Sequence, residues 1–582
     1  MHKKLRAGAA LAVLGLAITV TQQSSAVNLD KDPNRRPAQN ITRDTGAEIR
    51  ARLRDRLGPM APAFSQGREV RNYDGSGNNK SQPLVGATFQ PFQRMTAPDY
   101  ADGISAMAGH YRKSAREISN LVVAQGDRSV PNPYGTSDFL WQWGQFIDHD
   151  LTLGDGVLSD DRSFDIKVPL GDPWFDPANT GDRTIHFDRA LFDSATGTDL
   201  LNPREQMNEL TSWIDGSMIY GNEEERAEAL RTHRHGKLRT SAGDLLPFNK
   251  DNLPNANGAA PDPTKLFIAG DVRANEQVGL TVMHTLFVRE HNRWADIIRN
   301  RRPWYSDEDI YQAARRMVIA EIQVITYEEF LPALIGKRAI ERYRGYTPGD
   351  PTIFTEFSGA AYRLGHTLIN PNIMRLNAQG AEIRDGHLAL RDAFFNAPDI
   401  LKKRRDIEPI LRGLAAQKSQ TFDHMIVDDL RNFLFGPPGA GGFDLAALNI
   451  QRGRDRGIGS YNDVREGLGL GRAKTFADVT PDRDLQIALA EAYATVDDID
   501  LWVGGICEPP MDRGGSQLGP TFTHIVARQF AMLRDHDRFW YERDLTRMEL
   551  AMIRKVTLAD IIRANTNIER REIPKNVFYV KR

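Results

Sequence analysis

Cysteine is almost absent: in 582 residues Cys507 stands alone. One thiol excludes an intrachain disulfide framework and any zinc or iron–sulfur site built from several cysteines of the chain. A protein of this size without crosslinks has to be held by a large core and by whatever it binds. An excess of charge of one sign is lacking too. The 75 Lys and Arg residues nearly balance the 77 Asp and Glu, for a formal net charge of −2, which gives no electrostatic case for a nucleic-acid partner. Long apolar runs are missing apart from residues 7–20, which follow Lys3, Lys4 and Arg6 and precede Ser24, Ser25 and Ala26. That run is short for a bilayer span, and its basic start and small-residue end read as a secretory signal peptide over residues 1–26. Its removal shifts the formal charge from −2 to −5 and leaves no segment expected to stay in a membrane. Among the 13 histidines there is no H-E-x-x-H or H-x-x-E-H spacing, so a hydrolytic metal cluster is not signalled. Strand-like alternation, internal repeats and low-complexity linkers are scarce.

What is present is helical periodicity. Residues 27–72 are polar and Arg-rich and read as an extended N-terminal arm. From Tyr73 onward, apolar residues recur at three and four over 137–151, 279–300, 307–331, 354–368, 484–495 and 519–533, the pattern of amphipathic helices. Pro- and Gly-rich loops punctuate them at 168–181, 252–264 and 436–442. The reading is a mainly α protein with one large domain over residues 73–582.

Polar residues cluster in four stretches. Residues 141–152 read W-Q-W-G-Q-F-I-D-H-D-L-T; on a helix Gln145 shares a face with Asp148 and His149, while Asp150 points elsewhere. Arg273 and Glu276 lie three apart, as do Arg363 and His366, and Asn449 and Arg452. Taken alone, the His149-Asp150 pair fits a metal-dependent phosphohydrolase, and a lone buried histidine is the blander alternative. The joint occurrence of the four stretches in this order argues against both.

In this order and spacing, with Tyr73-Asp74-Gly75-Ser76-Gly77-Asn78-Asn79, residues 98–103 and Asp498-Ile499-Asp500-Leu501-Trp502-Val503-Gly504-Gly505, the chain resembles the animal-type haem peroxidases of the peroxidase–cyclooxygenase superfamily. The resemblance spans about residues 73–575. Gly77 stands where animal members usually carry a cysteine, consistent with a bacterial-like version without disulfides.

The resemblance implies the helical fold of the myeloperoxidase type and a haem cofactor. It makes His366 the proximal iron ligand with Asn449 behind it, and His149 the distal acid/base. Arg273 and Gln145 become its distal companions, and Arg363 and Arg452 clamps for the haem propionates. Asp148 and Glu276 match the carboxylates that form ester bonds to haem methyl groups. Gln277 replaces the Met that makes a third, sulfonium link in myeloperoxidase, so no third bond is expected. Asp150, with Thr211, Trp213, Asp215 and Ser217, matches the family's calcium site, an all-oxygen shell suited to a hard cation. The implied function is a secreted, periplasmic or extracellular peroxidase. It would use hydrogen peroxide to oxidise halides or thiocyanate by two electrons, and phenols or other small donors by one.

Two other readings compete. A fatty-acid dioxygenase of the cyclooxygenase branch would carry a radical-forming Tyr three residues before the proximal His; that place holds Arg363, with Tyr362 one position earlier. A non-catalytic adhesion protein on the same scaffold would be expected to lose His149, Arg273 or His366, and all three are present.

Overall fold

The periodic stretches form long helices that run through the core. The computed structural model describes residues 68–154, 163–258, 262–402, 406–511 and 514–581. The helices that matter here are α1 (Phe139–Leu151), α2 (Val278–Arg301), α3 (Asp307–Ile325), α4 (Leu445–Asp455) and α5 (Pro520–Asp535). Among the described residues the strands are short antiparallel pairs: Gln90–Pro91 with Met207–Asn208, Ile166–Lys167 with Thr184–Ile185, and Asn372–Ile373 with Leu388–Ala389. The fold is mainly α, as the scarcity of strand-like alternation implies.

α1 buries Phe139, Leu140, Trp141, Trp143, Phe146, Ile147 and Leu151. With apolar groups on nearly every side it belongs inside the protein. Each such side chain contributes roughly 1.5–3 kcal/mol on burial, which offsets the cost of carrying Asp148, His149 and Asp150 inward. Trp143 donates its indole N–H to Thr326 Oγ1 at 3.2 Å, and Phe146 stacks on Phe287 at 5.2 Å, so α1 is locked against α2 and the segment after α3. The start of α2 is capped by Gln277, whose side chain accepts from the Gly279 N–H. That of α3 carries a capping box between Ser306 and Asp309, and Asp444 caps α4 through Ala447.

Two of the sequence-derived helices are interrupted. The stretch 307–331 is α-helical only to Ile325; a π turn, Thr326–Phe330, precedes a short helix, Leu331–Leu334. Pro332 has no N–H to give to the carbonyl four residues back, and its ring crowds that carbonyl. The stretch 354–368 breaks at Ala360 between an α turn, Thr355–Gly359, and a 3-10 helix, Ala361–Leu368. A Cβ on Gly359 would lie 2.6 Å from Ile458 Cδ1, so a larger residue there would have to displace the Ile458 side chain after α4. The Arg363 side chain caps the break by donating to Ser358 O at 3.0 Å.

The expected signal peptide and most of the expected N-terminal arm lie outside the described residues. Where description begins, Arg68 donates to Asp544 O and Arg71 to Asp537 Oδ2, pinning the end of the arm to residues near the C-terminus. Cys507 is buried. Among the described residues no helix is long and apolar enough to cross a membrane.

Candidate active site

α1 and the turn before α2 form one wall of the site. Gln145, Asp148 and His149 face that turn as the helical register implies. Arg273 and Glu276 do not lie on a helix: the Glu276 N–H donates to Arg273 O at 2.8 Å, closing a turn that Asn275 fixes with paired hydrogen bonds to the Phe267 backbone. Glu276 Oε2 stands 3.7 Å from His149 Nε2 and accepts from Gln145 Nε2 at 3.4 Å. Asp148 Oδ2 lies 3.9 Å from Arg273 Nη1, and its Oδ1 accepts from Thr152 Oγ1 at 2.9 Å.

The other wall is the 3-10 helix and α4. With three residues per turn, Arg363 and His366 eclipse each other on one face. Asn449 on α4 brings its amide Nδ2 to 2.8 Å from His366 Nδ1, while its Oδ1 is buried without a partner. Turning the amide by half a revolution places that oxygen against a protonated Nδ1, satisfies the stranded atom and leaves Nε2 unprotonated. A histidine in that tautomer is ready to ligate a metal.

Gln145, Asp148, Arg273, Glu276, Arg363, His366 and Arg452 all keep some accessible surface although closed core positions flank them, and Arg363 is electrostatically coupled to Asp148 and Arg273, so the two walls adjoin a common space. A Cβ on Gly365, beside His366, would meet nothing within 4 Å. The two carboxylates that face this space keep 31% (Asp148) and 25% (Glu276) of their side-chain surface, against 4% for His149.

Electrostatics separates the two walls. Burial, reinforced by Arg273, holds His149 well below its ordinary pKa, against the opposing pull of Asp271. Burial, with Arg363 and Arg452, pushes His366 down to about 3. Both imidazoles are neutral near pH 7. Burial followed by Arg452 and Arg456 depresses the Arg363 guanidinium, and burial followed by Arg452 brings Arg456 down to about 9. Among the described residues none of these three arginines forms an ion pair with a carboxylate, and the Nε atoms of Arg452 and Arg456 are buried without a partner. Three clustered guanidiniums without counter-ions call for a dianionic group, and the two propionates of haem match that charge. Together with the Asn449–His366 pair, this cluster fits a haem.

Behind α1, the carboxylate of Asp150 turns away from the cavity. Its Oδ1 accepts from Ser217 Oγ at 2.7 Å, and its Oδ2 from the Asp215 and Gly216 N–H groups. Thr211 Oγ1 donates to Asp215 Oδ2 at 3.0 Å. Burial and the neighbouring Asp215 raise the Asp150 pKa, and burial raises that of Asp215. Trp213, whose carbonyl completes the expected set, is fully buried. Among the described residues no group of three or more His, Cys, Asp or Glu could hold a metal; this cluster has two carboxylates and otherwise neutral oxygens.

Three residues to which the sequence assigned no site role join the site. Asp271 grips Arg273 with both oxygens, Oδ1 to Nε at 2.9 Å and Oδ2 to Nη2 at 2.8 Å. Gln277 donates to Gln142 Oε1 at 2.8 Å and to Gln145 Oε1 at 3.0 Å. Arg456 bonds Ser358 Oγ at 3.0 Å, and its Nη2 would lie 2.7 Å from a Cβ at Gly154. The sequence signal for all three was proximity to singled-out residues, but outside a helix that spacing fixes no direction.

Comparison with known proteins agrees with this geometry. The animal haem peroxidase family model matches residues 70–578. Peroxinectin A of Dictyostelium discoideum is 36% identical over 517 residues, covering 87% of this chain and 95% of that protein. The solved structure of Peroxidase A from Dictyostelium discoideum superposes with a TM-score of 0.81 at 36% identity, covering 88% of this chain and all of that one. Peroxidasins and dual oxidases also match, and of those longer proteins the chain spans between 33% and 43%. A fatty acid alpha-dioxygenase of Arabidopsis thaliana shares the fold, with a TM-score of 0.74 at 19% identity, covering 92% of this chain and 88% of that one. The chain belongs to the animal haem peroxidase family and is a haem-dependent peroxidase.

Proposed function

We propose that this peroxidase reduces hydrogen peroxide at a haem held between His366 and His149, and oxidises small anions such as halides or thiocyanate, or phenols, outside the cytoplasm. The observation that carries the reading is a pair of neutral imidazoles on two walls that are coupled through Arg363, Asp148 and Arg273. His366 is backed by Asn449, and His149 stands beside Arg273.

Haem, when bound, supplies a redox-active iron at which the oxygen–oxygen bond of peroxide is broken. His366 Nε2 would ligate the iron, with Asn449 Oδ1 turned to accept from Nδ1. Arg363, Arg452 and Arg456 would hold the propionates. Neutral His149 takes a proton from one peroxide oxygen and returns it to the other, so that the departing oxygen leaves as water rather than as hydroxide. Arg273 stabilises negative charge that develops on that oxygen. Gln145, whose carbonyl is engaged by Gln277, directs its amide N–H groups towards Glu276 and the cavity, where they can receive water or a small anion.

Asp148 and Glu276 carry the proposed ester links to haem methyl groups, a role consistent with their residual accessibility. The expected result is that acidified organic solvent leaves haem on the unmodified, peroxide-treated protein and releases part of it from Asp148→Val and Glu276→Gln. Complete extraction from the unmodified protein ends the ester proposal.

Calcium is proposed between Asp150, Asp215, the hydroxyls of Thr211 and Ser217, and the carbonyls of Thr211 and Trp213, fixing α1 from behind. A ligand present at 100 times its Kd adds about 2.7 kcal/mol to stability. Chelation is therefore expected to lower the melting temperature, and re-added calcium to restore it; a melting curve indifferent to chelator removes calcium from the account.

The test of the whole reading is the absorption spectrum of the purified protein before and after peroxide, followed by turnover with bromide, thiocyanate and a phenol side by side. A spectrum without a Soret band defeats it. The shared fold favours a dioxygenase as the second reading, but Tyr362 lies off the face shared by Arg363 and His366. Its ring stacks on Phe357 at 4.6 Å. Fatty-acid oxygenation that is lost in Tyr362→Phe would replace the peroxidase reading.

A further inference from the structure

His149 is described by the proposed function as a base acting through Nε2. That requires its proton to sit on Nδ1, and nothing in the α1 sequence decides this. The imidazole ring has carboxylates at both edges: Asp271 Oδ1 at 3.5 Å from Nδ1 and Glu276 Oε2 at 3.7 Å from Nε2. An ionised carboxylate only accepts hydrogen bonds, so the two compete for the one ring proton.

The competition is unequal. Asp271 is nearly closed to solvent, with 1% side-chain exposure, whereas Glu276 keeps 25%. Asp271 is also fixed in place: its Oδ1 accepts from the Arg273 backbone N–H at 2.8 Å and from Arg273 Nε at 2.9 Å, and its Oδ2 from Arg273 Nη2 at 2.8 Å. Glu276 is already engaged by Gln145, and an ester link to haem would remove its charge. His149 Nδ1 has no other hydrogen-bond partner among the described residues. At 3.5 Å the contact is slightly longer than a formed hydrogen bond, as catalytic contacts often are before substrate binds.

The geometry points to Asp271 as the positioning residue of the distal side: one carboxylate holds His149 in the tautomer with its proton on Nδ1 and fixes the Arg273 guanidinium. The inference rests on the proposed role of His149. It makes the distal base and the distal cation parts of one unit joined through a third side chain, so that damage to Asp271 reaches the reaction by two routes.

The test is a double-mutant cycle on the haem-loaded protein, read by the rate at which cyanide shifts the Soret band. Hydrogen cyanide has to surrender its proton to the distal base as it binds, so this rate senses His149 without turnover. Asp271→Ala is expected to slow cyanide association about 10- to 100-fold, the range for partners that orient a functional side chain. In an Arg273→Leu background, Asp271→Ala should still slow it several-fold, because the route through His149 remains. No further loss in that background overturns the inference, since Asp271 would then act through Arg273 alone.

Asp271→Asn guards against misfolding of the alanine variant. An amide of the same shape has to turn its NH2 either to the ring, reversing the tautomer, or to Arg273. A cyanide rate within about twofold of the parent in a folded Asp271→Asn protein, below the tenfold lower bound for such partners, likewise overturns the inference. His149→Ala separates the two levels of the argument: if it leaves cyanide binding unchanged, the role of His149 fails. If it slows binding and the Asp271 variants do not, only the role of Asp271 fails.

Discussion

His366→Ala is expected to yield protein without a stable Soret band, the larger of two effects that dominate the account. Loss of the imidazole removes the proposed iron ligand and strands Asn449, whose amide meets His366 Nδ1 at 2.8 Å and whose Oδ1 has no other partner. The Arg363, Arg452 and Arg456 guanidiniums would remain to attract propionates, so weak, exchangeable haem uptake is expected rather than none. The measurement is the haem-to-protein ratio after gel filtration, with the helical circular dichroism signal as a control for folding. Retention of a normal, tightly bound haem spectrum refutes the assignment. Asn449→Ala should keep the haem but shift its spectrum and potential, because the outer partner of a ligating histidine tunes how strongly the ring donates.

The second effect is on chemistry rather than on assembly. His149→Ala is expected to bind haem normally and to slow its reaction with peroxide by about 10²- to 10⁴-fold, the usual contribution of a positioned acid/base group. Burial and Arg273 keep the ring neutral, so it is in the form needed to accept the first proton. Arg273→Leu should cost less than His149→Ala if charge stabilisation and proton transfer are separate tasks. Stopped-flow mixing with peroxide at 1:1 stoichiometry reads both. A His149→Ala protein that reacts as fast as the parent would remove the distal base from the mechanism.

These effects differ in kind because the two histidines sit on different supports. His149 belongs to a 13-residue helix held by Phe139, Trp143, Phe146 and Ile147 in the core, so its truncation should leave the scaffold standing. His366 sits on a 3-10 segment whose shape depends on Gly359, Ser358 and Arg363. The register of that segment is set by its neighbours more than by its own sequence.

Helix existence was legible in the sequence wherever apolar residues repeat over several turns, as in α1, α2 and α5. The breaks inside 307–331 and 354–368 were less so. Pro332 is a visible signal for the first, but Gly359 acts through a contact with Ile458 almost 100 positions away. The pairings of Gln145 with Asp148 and His149, and of Arg363 with His366, were readable because local register fixes direction. That of Arg273 with Glu276 was readable only as a spacing, since a turn rather than a helix sets it.

By itself, then, the sequence determined which side chains could perform peroxidase chemistry and that the fold carrying them is helical, because both follow from short-range periodicity and from motifs in a fixed order. Tertiary structure alone decided how those side chains meet: Asp271 beside His149, Glu276 on the opposite edge of the ring, Asn449 against His366, and three arginines gathered without a carboxylate partner among the described residues. Such contacts join segments separated by about 80 to 130 residues or lie in turns without a repeating geometry. Their distances are set by core packing and by backbone hydrogen bonds, which one-dimensional spacing does not encode.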